Sequence, residues 1–289
     1  MVDTDTDRLI DLVEKMPGFS QTVTKIVALA NDPNSTPADL VKTISMDPVL
    51  TAKLLKLINS AYFGLAHPIV SLQRAAIMLG FNTVKNIALS LSVTGTLKMD
   101  NNFKWFTGDQ FWEHSLACAV TSKAIAKKAG VKTLDLEEYF IAGLLHDIGI
   151  TLFVNAFTAE SEEIYNPDFE PDKDIRELEK ERFGMSHDEL GGVMAEHWKL
   201  PESLVRAISG HHDPYSGPEE GLLLRQVIHI SNHFCNERKI SIHQGSNTDT
   251  IADEIWSDFR LSVEETTECF VDIDSTIETA KVFLKVAED

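Results

Sequence analysis

The spacing of the apolar residues is what most limits the folds open to this chain. Val23, Ile26, Val27 and Ala30 fall at i, i+3, i+4 and i+7, which places them on one face of a helix. Ser35-Thr36-Pro37 supplies a cap and a first-turn proline ahead of Leu40, Val41 and Ile44. Asp47-Pro48 repeats that signal before Val49 to Ile58, and Ser71 opens a helix that closes at Gly80. Val84, Ile87, Ala88 and Leu91 mark the next apolar face, while residues 60–67 read as a connector. Helical spacing resumes over residues 110–128, 136–157, 174–183, 186–199, 202–210 and 222–236, and again over 275–287. Ser186 with Glu189 and Ser262 with Glu265 have the spacing of capping boxes. Ile240 and Ile242 alternate too briefly to make a strand. The pattern predicts an all-α fold. Its weakest stretch, Thr94 to Gly108, suggests a boundary between two helical lobes, residues 1–105 and 106–289.

Charge narrows the functions. The 289 residues carry 26 Lys and Arg against 45 Asp and Glu, a formal charge of −19. Such a chain repels phosphate backbones and anionic lipid, and no run of basic residues offsets this. Direct nucleic-acid binding and membrane binding are therefore not expected. Apolar runs such as Ile148 to Val154 are far shorter than the ~20 residues of a membrane span. Met1 to Asp11 is acidic and lacks the apolar stretch of a signal peptide. Cys118, Cys235 and Cys269 are odd in number, widely spaced and without a CxxC pair. That favours a reducing cytoplasm and argues against disulfides or a zinc site built on cysteines.

The ten histidines are what composition leaves unexplained, and six of them lie between residues 114 and 212. His146-Asp147 follows the apolar run Ile141 to Leu145, where an imidazole beside a carboxylate is costly to bury without a strong partner. A divalent cation satisfies both groups. His211-His212 ends an apolar helix just before Asp213-Pro214, and His114 and His187 stand on helices of their own. A solitary helical histidine is more often packed or solvated than a ligand, and His67, His197, His229, His233 and His243 are read that way. His114, His146, His187, His211 and His212, with Asp147, form a joint pattern on four helical segments and are the candidate metal ligands.

His114 followed by His146-Asp147-Ile148-Gly149 resembles the HD metal-dependent phosphohydrolase superfamily. The N-terminal half carries Met16-Pro17-Gly18-Phe19-Ser20, Asp47-Pro48-Val49-Leu50, Lys53-Leu54-Leu55, Asn59-Ser60-Ala61-Tyr62-Phe63-Gly64, Ile69-Val70-Ser71-Leu72 and Leu79-Gly80. These are similar to the HDOD domain (HD-related output domain) of bacterial signalling proteins, over about residues 10–235. The resemblance implies a small N-terminal bundle, a larger HD-like bundle, and a role as a cytoplasmic signalling output module. The larger lobe also resembles the HD-GYP phosphodiesterases of cyclic dinucleotides. By that resemblance Asp147, His187, His211 and His212 hold one metal and His114, His146 and Asp147 another. Asp147 would bridge the two and, in an active enzyme, hold the nucleophilic water. Nitrogen-rich donors with one carboxylate admit Fe, Mn, Ni or Zn, and the resemblance favours iron.

The departures from that pattern are equally informative. Gln110 stands where the HD enzymes carry a glutamate, Ile150 where a phosphate-neutralising lysine follows the motif, and Asn232 where a late aspartate ligand is found. The Gly-Tyr-Pro motif is absent, since His211-His212 is followed by Asp213-Pro214-Tyr215-Ser216-Gly217. Three functions stay open: an output module holding metal at a degenerate site, an active phosphohydrolase acting on nucleotides or cyclic dinucleotides, and a metal-free scaffold. The partners expected are signalling proteins or a small anionic ligand. Glu113, Glu196 and Asp213 are candidates to orient the ligand imidazoles through their second nitrogens. The Asn59 to Gly64 connector is expected to form a packing corner between the lobes, and residues 262–289 to close the second bundle.

Overall fold

A computed structural model describes residues 4–16, 18–97, 99, 103–242 and 251–288, and no strand occurs among them. The first half contains α1 (Thr4–Glu14), α2 (Gln21–Asn31), α3 (Pro37–Ser45), α4 (Pro48–Ile58), α5 (Leu72–Leu79) and α6 (Phe81–Thr96). The second opens with α7 (Gly108–Lys128), a 3-10 turn (Thr133–Asp135), α8 (Leu136–Leu145), α9 (Ile148–Ala156) and α10 (Thr158–Ile164). It continues through α11 (Ile175–Phe183), α12 (His187–His197), α13 (Glu202–Ser209) and α14 (Leu222–Glu237). Four short helices end the chain: α15 (Asp253–Asp258), α16 (Val263–Glu268), α17 (Ile273–Ala280) and α18 (Val282–Glu288).

The local signals in the sequence set the helix starts. Thr36 and Asp39 form a reciprocal capping box ahead of α3, with Pro37 in its first turn. The Asp47 carboxylate accepts from Leu50 N at 2.9 Å to open α4. Ser262 with Glu265 closes the capping box that its spacing predicts, and ahead of α12 the Glu189 carboxylate accepts from Ser186 N at 2.9 Å. Each satisfies backbone N–H groups that the first turn leaves without a helical partner. The predicted faces are the buried ones: Val23, Ile26 and Val27 in α2, and Leu40, Val41 and Ile44 in α3.

The sequence pattern misses two breaks. The helix expected over 136–157 divides into α8 and α9, and His146-Asp147 occupies the break. The last helix divides at Lys281, and α18 meets the second half of the chain where Phe283 stands 5.5 Å from Phe140 of α8. It also lies on α4 and α6 of the first half, where Lys53 Nζ donates to Ala287 O at 2.8 Å. The short helices α10 and α15 carry too few periodic apolar residues to stand out in the sequence, whereas α1 has Leu9, Leu12 and Val13 at helical spacing. The helical run Thr133–Ala156 is long and apolar enough by composition to cross a membrane, although 89% of its apolar window is buried inside the fold.

Tyr62 packs the connector after α4 against α7 and α8. Its ring meets Phe140 of α8 at 5.8 Å between centroids, and Lys123 Nζ of α7 sits 5.0 Å above it. The same lysine pairs with buried Glu137. Asn59 holds the connector in place. Its Nδ2 donates to Ile69 O at 2.8 Å and its Oδ1 accepts from Ile69 N at 2.7 Å.

Candidate metal centre

Five segments meet at the histidine cluster. His114 stands on α7, His146 and Asp147 fill the break between α8 and α9, His187 is the first residue of α12, and His211 and His212 follow α13. Two glycines permit the close packing. A Cβ on Gly143 of α8 would lie 2.8 Å from Ala119 Cα and from Cys118 O, so α7 and α8 touch backbone to backbone. A Cβ on Gly149 of α9 would lie 2.0 Å from His187 O and 2.8 Å from Gly191 N, so α12 rests directly on α9. Any other residue at these positions would drive the histidines apart.

Asp147 is the hub. Its Oδ2 faces His146 Nε2 at 3.1 Å and His114 Nε2 at 3.3 Å. Its Oδ1 faces His211 Nε2 at 3.4 Å and His187 Nε2 at 3.5 Å. His212 joins through His187, with their Nε2 atoms 3.0 Å apart. His114, His146, Asp147, His187 and His211 are at most 2% exposed, while His212 is partly open.

The far nitrogens of the rings decide what the near ones can do. The Nδ1 atoms of His146, His211 and His114 face the carbonyls of Gly143 at 2.8 Å, Ile208 at 2.7 Å and Ile240 at 2.6 Å. A carbonyl only accepts, so each Nδ1 carries the proton and, in the neutral ring, Nε2 presents a lone pair to Asp147. Burial lowers the His146 pKa and outweighs the pull of Asp147, which keeps that ring neutral. Two acceptors then face each other at 3.1 Å. His146 Nε2, His211 Nε2 and Asp147 Oδ1 are buried without a hydrogen-bond partner among the described residues. Orphaned lone pairs converging on a carboxylate form the donor set of a divalent cation.

The remaining protonation follows the neighbours. Burial works against the charged form of His187, yet Glu179 and Asp147 push its pKa up to about 10. Burial and the adjacent His211 and His187 hold His212 well below its ordinary value. Burial would raise Asp147, but His146, His114 and His211 hold it well below the usual carboxylate range.

Residues 16–214 match the sequence profile of the HDOD domain, more than half of the chain. The chain belongs to the HDOD family. A curated protein of Treponema pallidum, described as uncharacterized, is 26% identical over 235 residues, which span 80% of this chain and 45% of that protein. This HDOD chain thus covers under half the length of the curated relative it matches. Among solved structures, a candidate signal transduction protein from Marinobacter aquaeolei is 20% identical with a TM-score of 0.78, covering 100% of this chain and 62% of the other. A candidate metal-dependent phosphohydrolase from Shewanella amazonensis is 18% identical with a TM-score of 0.60, covering 95% and 98%. At these identities the two structures support the fold, which is the HDOD fold throughout.

Within this HDOD scaffold the residues chosen from the sequence separate cleanly. His114, His146, Asp147, His187, His211 and His212 come together. Asn232 is buried, and its Oδ1 accepts from Asn236 Nδ2 at 3.0 Å. Gln110 is exposed and serves as the third residue of the Thr107 capping box. Ile150 is fully buried in α9. His197 and His233 are half-buried, His67 is exposed, and His243 lies outside the described residues.

The expected orienting carboxylates are corrected. Glu113 pairs with Lys281 at 2.7 Å, and Glu196 and Asp213 are exposed. Three backbone carbonyls and Glu179 take their place. Glu179 is fully buried; its Oε2 faces His187 Nδ1 at 2.7 Å, and its Oε1 accepts from Tyr165 Oη at 2.6 Å. A signal for it exists in the sequence, because Glu179 sits four residues from both Ile175 and Phe183, on the apolar stripe of α11. His229, read as a bystander, is buried and its Nδ1 donates to His211 O at 2.9 Å, which supports the segment carrying the histidine pair.

Proposed function

We propose that this HDOD chain is a bacterial signalling output module that holds one or two divalent ions on an HD phosphohydrolase scaffold without turning over substrate. The carrying observation is a cluster of lone pairs and one carboxylate that calls for a cation, yet is closed to solvent at every donor except His212. In this reading His114, His146 and Asp147 Oδ2 hold one ion, and Asp147 Oδ1, His187, His211 and His212 hold the other. A bound ion supplies Lewis acidity and acidifies a coordinated water. Glu179 accepts from His187 Nδ1 and so turns Nε2 toward the centre, and the three carbonyls do the same for the other rings. No lysine follows the motif, because Ile150 packs the core there. The partners are signalling proteins or a small anionic ligand, acting in the cytoplasm, and nucleic acid and membrane are not among them. The donor set matches iron, manganese, nickel or zinc, with iron first by family resemblance.

One observation favours a second reading, an active phosphohydrolase: the split of the Asp147 oxygens between two histidine pairs is the arrangement that two-metal hydrolysis uses. Elemental analysis and assays of the metal-loaded full chain separate the readings. The module reading expects stoichiometric metal and no turnover of nucleotides or cyclic dinucleotides with Mn, Fe, Ni or Zn. Steady turnover would replace it with the enzyme, and absence of metal under all loading conditions with a bare scaffold.

A further inference from the structure

We propose that Cys118 is a fourth protein ligand in the half of the centre formed by His114, His146 and Asp147, making it a two-histidine, one-cysteine, one-carboxylate site for zinc or iron. This inference rests on the metal-holding reading above. Cys118 follows His114 by four residues on α7, so the two side chains share a face one turn apart. It is fully buried, and its Sγ lies 3.8 Å from His114 Nε2. The ligand atoms of His114, Cys118 and His146 all lie within 4.8 Å of one another. His146 Nε2, buried and without a hydrogen-bond partner, is a second and independent sign that this pocket is built to receive a cation.

Three separations among the four donors match the proposal. With ordinary bond lengths to zinc of about 2.3 Å for sulfur and about 2.0–2.1 Å for nitrogen and oxygen, a tetrahedral centre sets sulfur and nitrogen roughly 3.6 Å apart and nitrogen and oxygen roughly 3.3 Å apart. The structure has 3.8 Å between Cys118 Sγ and His114 Nε2, and 3.3 and 3.1 Å from the Asp147 Oδ2 to His114 and His146. The close approach of Gly143 to the Cys118 backbone holds α7 against α8 at this point. Searching the sequence for CxxC pairs overlooks this ligand, because its companion is a histidine one helical turn away.

The consequence for function is specific. Four protein donors fill a tetrahedral ion and leave no position for water, which is the mark of a structural rather than a catalytic site. A thiolate also disfavours manganese relative to zinc and iron. Binding transfers the thiol proton to solvent.

Cobalt(II) loading of the full chain tests this. The expected result is a strong near-ultraviolet sulfur-to-cobalt band, lost in Cys118→Ala and kept in Cys235→Ala and Cys269→Ala, with helical circular dichroism confirming that each variant is folded. Cobalt bound without the band, or a band that survives Cys118→Ala, overturns the role of Cys118 and leaves the metal-holding reading standing. Failure of the wild-type chain to bind cobalt overturns both. If Cys118→Ala does not fold, zinc-edge X-ray absorption of the Cys235→Ala/Cys269→Ala double variant decides, since Cys118 is then the one thiol left of the 3 cysteines. A sulfur shell at about 2.3 Å supports the proposal, and a shell of nitrogen and oxygen alone overturns it.

Discussion

Replacing Gly149 by alanine should unseat the centre without touching any of its donors. The added methyl would sit 2.0 Å from His187 O, 2.9 Å from His187 C and 2.8 Å from Gly191 N, all of them backbone atoms that cannot rotate away. Contact between such atoms becomes favourable only near ~3.5 Å, so α12 must retreat by about 1 to 1.5 Å. His187 leads α12, and its Nε2 is already 3.5 Å from Asp147 Oδ1. Metal geometry tolerates errors of only about 0.2 Å. Gly149→Ala should therefore cost about 1–3 kcal/mol of stability by overpacking, a fall in Tm of roughly 2–12 °C for a chain of this size. Metal affinity should drop by roughly 10–100-fold, as when ligand orientation is lost. Gly18→Ala, where nothing lies within 4 Å of the new methyl, is the control and should leave both unchanged. Thermal melting by circular dichroism and metal titration below the transition measure the two effects. A Gly149→Ala protein that melts and binds metal as the wild type does would refute the claim that this contact sets the position of His187.

Three further outcomes follow from the same geometry. In chelator, the raised pKa of His187 stabilises the fold fully below pH 6.5 and ceases to do so as pH climbs through about 10; urea denaturation of wild type and Glu179→Gln should therefore show a gap that narrows across that window, and a constant gap would contradict the pairing. His146→Ala should strip most of the bound metal while His197→Ala, on a half-buried bystander, retains it; equal metal content by elemental analysis would argue against the cluster. Tyr62→Ala should cost about 2 kcal/mol in denaturant melts through lost contact with Phe140 and Lys123, and a change below ~0.5 kcal/mol would show that this contact does not hold the connector to α7 and α8.

Most of the helices, and the clustering of His114, His146, Asp147, His187, His211 and His212, were legible because both are written in spacing. Apolar residues at i, i+3 and i+4 mark faces, caps mark starts, and histidines that recur at the ends of apolar helices stand apart from solvated ones. The break at His146-Asp147 was not legible, since the residues on both sides are apolar and continue the helical period. The orienting groups were hidden for different reasons. The carbonyls of Gly143, Ile208 and Ile240 have no side-chain signature at all. Glu179 lies in a segment dense in exposed charges, Arg176 to Arg182, and only its place on the stripe between Ile175 and Phe183 betrays it. Gln110 shows the converse: in the sequence it is a substituted glutamate of the HD pattern, whereas in the fold it is an exposed cap.

Burial changes the meaning of the missing lysine. In the sequence, Ile150 in place of a lysine is a lost charge in a chain that already carries −19, which weakens the hold on a phosphate. In the fold, Ile150 is fully buried, as are His146 and His211, and His114, His187 and Asp147 are at most 2% exposed. An ammonium at that position would be desolvated without a partner, at a cost of several kcal/mol. In the proposed reading the site lacks that charge and opens to solvent only at His212, and both features bear on the substrate side. The donors, whose lone pairs are set by carbonyls and Glu179 from behind, are untouched by either. Donors set from behind, in a cluster that opens only at His212, support the proposed ion-holding role over delivery of the ion to a phosphoester.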